Sequence, residues 1–259
     1  MRFKVITCDI MRKELEEVTQ NCPHQLEIHY LTREGYHNEP DRSRPLLQAA
    51  IDEVPEGYDA ILLGFAFCNR LLDGVRAGHT QLVIPRAHDC ITFFMGSRER
   101  YQEHFLSHPG TYYYTSGWLE RRDGSRLSQG QSENIGLGSQ SYGELVAQYG
   151  EDNAQYLIEF FGGWKQHYTQ GVLIHFPFAE ALHLREQVQA ICRENGWQYG
   201  EIPGDLSLLR RWVNGEWDKD FLIVSPGQCI KATHDEWVMK TIQADRPRPL
   251  AGGKPAITI

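Results

Sequence analysis

Four times along the chain an apolar run breaks into polar residues and a cysteine stands at or just past the break. FKVITC ends at Cys8, ILLGFAFC at Cys68, VIPRAHDC at Cys90 and FLIVSPGQC at Cys229. Short runs rich in Val, Ile, Leu and Phe are those of strands buried on both faces. Between them the pattern changes period. Residues 11–20 read as a charged amphipathic helix with Asp9 placed to cap it, and 26–31 alternate as a second strand. The stretch RSRPLLQAAIDEV, 42–54, suits a helix with Ser43 as cap and Pro45 in its first turn, where a missing N–H costs little. A third strand follows at 59–65. This β-α-β-α-β order predicts an α/β fold, a doubly wound, mostly parallel sheet.

Further along, 69–80 suits a short helix stopping at Gly78, 81–85 a fourth strand, and the following residues a helix ending near His108. Residues 109–141 depart from the pattern, being rich in Gly, Ser and aromatics. They are too long for a plain connection, which predicts an insertion in a single 1–259 domain, serving as a lid or a subunit contact in a homo-oligomer. Helical periodicity returns over 142–166, then a strand at 171–176, a helix at 179–194, a short strand at 197–202, a helix at 206–213 and a strand at 221–224. PGQC then makes a turn, and 247–255, rich in Pro and Gly, reads as extended.

With 259 residues, 41% hydrophobic and 23% charged, the chain has the composition of a globular protein that needs no disulfide staples. Its net charge of −8 argues against nucleic acid or an anionic membrane surface as partner. MRFKVITCDI turns charged too soon for a signal peptide, and no run approaches the roughly 20 apolar residues of a membrane span. A cytoplasmic setting is expected. There, six cysteines read as thiols, ligands or redox groups.

Ligands of open parallel sheets bind outside the carboxyl ends of the strands, so cysteines remote in sequence can meet there. Cys68, Cys90 and Cys229 with His88 are therefore candidate ligands of one metal ion. Thiolates with an imidazole suit zinc, with iron the alternative. His88 and Cys90 are two residues apart and share a face in an extended backbone. Each cysteine alone is as well explained as a small buried hydrophobe; the case rests on their common placement. Cys8, at the end of a central strand, and His175, at the end of VLIHF, are further candidates, although a hydrogen-bonded strand-end histidine is the better reading of His175. Asp89 either orients a neighbour of the ion or caps the next helix, and His234 with Asp235 reads as a cap. Cys22 and Cys192 carry no assigned chemistry. Arg86, Arg76 and Arg70 flank the proposed site and suit an anionic small-molecule substrate, Arg86 first because it shares the face of His88. The first strand leads into CDIMRKE, without the glycines a dinucleotide needs.

His88-x-Cys90 with a distant Cys229 resembles the zinc motif of the corrinoid-linked methyltransferases that alkylate coenzyme M, although those enzymes are TIM barrels. Over most of its length, through GYDAILLGFAFCN, RAGHTQLVIPRAHDC and VSPGQCI, the chain looks like a bacterial and archaeal domain-of-unknown-function family, some members of which are encoded near corrinoid-dependent methyltransferases. The resemblances imply a zinc enzyme that activates a small thiol or amine for methyl or alkyl transfer, with a corrinoid protein as partner. Hydrolysis by metal-bound water, a closed metal- or cofactor-handling protein, and a metal-free cysteine nucleophile stand as alternatives.

Overall fold

The computed structural model describes residues 1–32, 40–67, 70–119, 146–147, 150–151, 167–233 and 235–244. A five-stranded sheet carries the amino-terminal half: β1 (Arg2–Cys8), β2 (Gln25–Leu31), β3 (Ala60–Gly64), β4 (Leu82–Pro85) and β8 (Phe221–Val224), in the order β2-β1-β3-β4-β8. The first four are parallel and β8 is antiparallel to β4, so the fold is α/β with a mostly parallel central sheet.

Alternation along these strands divides the core. Phe3 and Val5 of β1, Ala60 and Leu62 of β3 and Val83 of β4 enter one apolar cluster, while Ile6, Ile61, Leu63, Leu82 and Ile84 enter another. Successive side chains of a strand point to opposite faces, so a strand covered on both sides has no polar set to alternate with. That is why β3 and β4 read as unbroken apolar runs. Helix α1 (Arg12–Thr19) places Leu15 and Val18 in the first cluster, and α2 (Pro40–Asp52) places Leu47 and Ile51 in the second.

A second parallel sheet, ordered β5-β6-β7, comprises Thr111–Tyr114, Gln170–His175 and Gln198–Pro203. Tyr113, Tyr114, Val172, Leu173 and Ile174 share the first cluster with β1 and β3, so one continuous apolar core joins the two sheets. Trp212, on α7 (Ser207–Val213), is fully buried in it and donates its indole N–H to the carbonyl of Val83 at 3.1 Å.

Several local expectations change. Residues 71–74 are turns and not a helix. The helix expected over 179–194 is broken: a 3-10 stretch, Pro177–Leu182, ends at His183 with φ 52°, and α6 (Leu184–Asn195) starts afresh. Asp9 heads a 3-10 turn, Asp9–Met11, instead of capping α1, and Ser43 and Pro45 lie within α2, which begins at Pro40. The aromatics of TYYY, placed by the sequence in an insertion, form a strand of the second sheet; the rest of 109–141 beyond Leu119 lies outside the described residues, as does nearly all of 142–166. After β8 the chain forms a hairpin, β9 (Gln228–Ala232) and β10 (Met239–Gln243), so that Cys229 stands in a strand while Pro226 and Gly227, the latter at φ 83°, keep the expected turn. Among the described residues, no helix is long and apolar enough to cross a membrane.

Candidate functional site at the carboxyl edge of the parallel strands

Cys8 is the last residue of β1, and His88, Asp89 and Cys90 follow the end of β4. Between these strands lies β3, which continues as Phe65–Ala66–Phe67; the Phe67 amide donates to the carbonyl of Ala87 at 2.8 Å, so the exits of β3 and β4 run side by side. Cys68 lies outside the described residues. Cys8 and Cys90 are half-buried and His88 is exposed. Close approach at this edge depends on Gly64, paired with Thr7: a Cβ there would stand 2.1 Å from the Thr7 hydroxyl oxygen.

Asp89 is anchored at this edge through both carboxylate oxygens. Its Oδ1 accepts the Ile91 amide at 3.0 Å, at the start of α3 (Ile91–Met95), and its Oδ2 accepts the Tyr101 hydroxyl at 2.7 Å. The capping role expected of Asp89 is thus present. Burial pushes its carboxyl up, against the opposing bonds from Tyr101 and the amides of Ile91 and Thr92. The same burial, reinforced by Asp89, raises the Tyr101 phenol, and Tyr113 beside it is pushed up to about 12. Tyr101 belongs to α4 (Arg98–Ser107), and nothing in the sequence marks it; its partner is a matter of tertiary packing alone.

Cys229 is carried elsewhere. In the antiparallel register Val224 opposes Leu82, the first residue of β4, so the turn after Val224 and the Cys229 that follows it lie toward the amino edge. There Cys229 pairs with Ile242 and bridges to Arg76. Cys90 stands beyond the opposite end of β4. Sequence pattern locates a strand but not its direction, and the antiparallel β8 reverses the end at which its cysteine emerges. Among the described residues, no three His, Cys, Asp or Glu side chains gather closely enough to hold a metal ion.

The arginines also part company. Arg76 is exposed near the same amino edge as Cys229, its backbone held by Gln48 of α2. Arg70, at φ 63°, is paired with Asp73 at 2.8 Å. Arg86 remains at the carboxyl edge, but its guanidinium donates to the carbonyls of Trp237 and Met239 and stacks on the Trp237 ring. Arg98 covers the same ring and donates to the Glu236 carbonyl. Burial and the nearby Arg98 lower the Arg86 pKa. Both guanidiniums clamp the hairpin loop.

On the second sheet His175 ends β6 and bonds Glu180 at 2.6 Å, the strand-end arrangement weighed from sequence; hydrogen bonds from His175 and Arg185 hold the Glu180 carboxyl below its usual range. These residues and His183 line a shallow cleft. Cys22 and Cys192 touch backbone carbonyls of Val213 and Gly171, Cys192 within the core, consistent with packing roles. His234 lies outside the described residues; Asp235 accepts from Thr233 and from the Trp237 amide, shaping the hairpin loop.

Comparison with curated proteins and with solved structures gives no match. A family model does match, over residues 31–213, a stretch that contains Cys68, His88, Asp89, Cys90 and Tyr101 and leaves out Cys8 and Cys229. The chain belongs to DUF1638, a family described as proteins of unknown function.

Proposed function

We propose that the carboxyl edge of β1, β3 and β4 holds a metal ion, zinc before iron, on the thiolates of Cys8, Cys68 and Cys90, with His88 as a fourth or exchangeable ligand. The observation that carries this reading is the common exit: Cys8 and His88–Cys90 leave strands that flank β3, and Cys68 follows directly on Phe67, whose amide is bonded to Ala87. Cys8 takes the place first given to Cys229, which the register puts toward the other edge. A donor set of sulfur and imidazole suits zinc, and the half-burial of Cys8 and Cys90 suits a site open to a small ligand. Among the described residues Cys8, His88 and Cys90 do not gather within metal-holding distance, so binding the ion would draw these strand exits together around it with Cys68. Helices packed in separate clusters on the two faces of the sheet support the doubly wound reading, in which ligands bind at this edge.

Bound there, the metal would lower the pKa of a small thiol or amine so that the nucleophile exists at neutral pH. The protein's own residues would bind and orient it: the Asp89 turn shapes the backbone that carries His88 and Cys90, and His88 is exposed. Methyl or alkyl transfer linked to corrinoid-dependent metabolism is the specific proposal, with an anionic small molecule as substrate and a corrinoid protein as partner. Arg86 contributes by holding the hairpin loop and not as a free anion anchor. The test is cobalt substitution of the full chain followed by titration with a small thiol such as 2-mercaptoethanesulfonate. A shift of the thiolate–cobalt absorption supports an exchangeable position, and an unchanged spectrum points to a closed, metal-handling site.

A further inference from the structure

We propose that the chain forms a homodimer by pairing β2 with β2 of a second copy, antiparallel across a twofold axis at Ile28, so that two five-stranded sheets become one. The inference is independent of the metal reading. β2 is an outer strand of the first sheet, and its seven residues, QLEIHYL, pair one for one with β1 without a bulge. The Gln25 amide donates to the Met1 carbonyl at 3.0 Å, which fixes the direction of every backbone group along the strand. Because these directions alternate, Gln25, Glu27, His29 and Leu31 turn their amides and carbonyls toward β1, and Leu26, Ile28 and Tyr30 turn theirs away. Among the described residues, no hydrogen bond reaches those outward groups.

An open strand edge of this length is a template for another strand, and proteins that stay monomeric blunt it with lysine, proline or a bulge. β2 has none of the three. The opposite outer strand, β8, has four residues and is a much shorter template. What β2 presents is complementary to itself, as a twofold interface requires. With the axis at Ile28, Ile28 meets its own copy and Leu26 meets the partner's Tyr30. These are the positions whose amides and carbonyls point outward, so each pair exchanges two hydrogen bonds. Their side chains are half-buried against the first apolar cluster and would extend it across the axis, an aliphatic chain facing an aromatic ring in the Leu26–Tyr30 pairs. Between them, Glu27 faces the partner's His29 on either side of the axis. Both residues are exposed, and hydrogen bonds from Lys4, at 2.6 Å, and Tyr58 hold the Glu27 carboxyl below its usual range, ionised at neutral pH. A carboxylate opposite an imidazole is a favourable cross-strand pair. Moving the axis by one residue either way would set Glu27 against Glu27 or His29 against His29, so charge selects the register that the backbone permits.

The test is sedimentation and amide exchange of the full-length protein. The wild type is expected to sediment as a dimer in which the amides of Leu26, Ile28 and Tyr30 exchange slowly, and faster on dilution, while those of Glu27 and His29, bonded to β1, change little. Ile28→Pro removes one outward N–H and no bond of the β1–β2 ladder, the kind of position at which an outer strand accepts proline. It is expected to sediment as a monomer with an unchanged far-UV circular dichroism spectrum. His29→Glu alters an exposed side chain and sets carboxylates opposite one another on both sides of the axis; it is expected to raise the dimer dissociation constant about 10-fold, and it keeps the test decisive should Ile28→Pro fail to fold. A wild type that stays monomeric overturns the proposal. So does a dimer in which the Leu26, Ile28 and Tyr30 amides exchange as fast as in the diluted protein, which would place the interface elsewhere, and so does a dimer that is as tight in either folded variant as in the wild type.

Discussion

Asp73 shows how one carboxylate ties remote segments together. It accepts the Ala232 amide at 3.0 Å and lies 2.8 Å from Arg70 and 3.6 Å from Lys231. Burial raises its pKa, but the Ala232 bond and the two cations outweigh that, so its pKa is lowered overall. A depressed carboxylate stabilises the fold above its unfolded pKa, and that contribution disappears as pH falls through the folded value. Arg70 is largely exposed and adds little; the backbone bond dominates. Asp73→Ala is therefore expected to lose about 1–2 kcal/mol at neutral pH, with the difference from wild type shrinking below the ordinary carboxylate range, as urea melts at pH 7 and pH 3 would show. Gly64 makes a steric claim. A methyl group there meets Thr7 at 2.1–2.6 Å and the end of Met11 at 2.9 Å, so Gly64→Ala is expected to cost about 1–3 kcal/mol in a denaturant melt. At this scale Cys8, the last residue of β1, was legible in the sequence, because a strand end is marked by its own pattern. The direction of travel was not, and Cys229 shows the consequence.

Among elements, the parallel β-α-β-α-β half followed from periodicity alone, since each of its units is built from local signals: alternation, amphipathic spacing and glycine or proline breaks. The β9–β10 hairpin did not. Its connection, THDEWV, lacks a short turn signature, and its strands are stabilised by tertiary anchors that no local window contains. Those anchors are Arg86 and Arg98, which grip the carbonyls of Glu236, Trp237 and Met239 and lie against the Trp237 ring. Arg86→Ala removes hydrogen bonds from a partly desolvated cation and opens one face of the indole. It is expected to cost about 1.5–3 kcal/mol, to redden and broaden the Trp237 emission, and to speed amide exchange in β10 more than in β1. Equal exchange changes in both strands would mean that the clamp supports the whole fold and not the hairpin. β5 was hidden for a different reason: TYYY is aromatic on both faces because it lies inside the shared core, so it carries no alternation to betray a strand.

At the largest scale, among the described residues, a mostly parallel sheet and a parallel one share one apolar cluster, and the exits of the first are tied to the second. The 3-10 turn Asp9–Met11 after β1 meets α5 (Ser116–Leu119) after β5 so closely that a side chain at Gly117 would collide with the Ile10 carbonyl. The Asp205 amide, beyond β7, donates to Phe94 of α3 at 2.9 Å. The strand exits are thus tied to the second sheet, and the central claim is the proposal that Cys8, Cys68, Cys90 and His88 come together there on one metal ion. The most direct measurement is the metal content, by elemental analysis, of protein purified without a metal-binding tag, for the wild type and for Cys→Ser variants at 8, 68, 90 and 229. The expected result is close to one zinc or iron ion per chain in the wild type and in Cys229→Ser, with the ion lost from the other three. A metal-free wild type, or loss of the ion from Cys229→Ser with retention in Cys90→Ser, would contradict it.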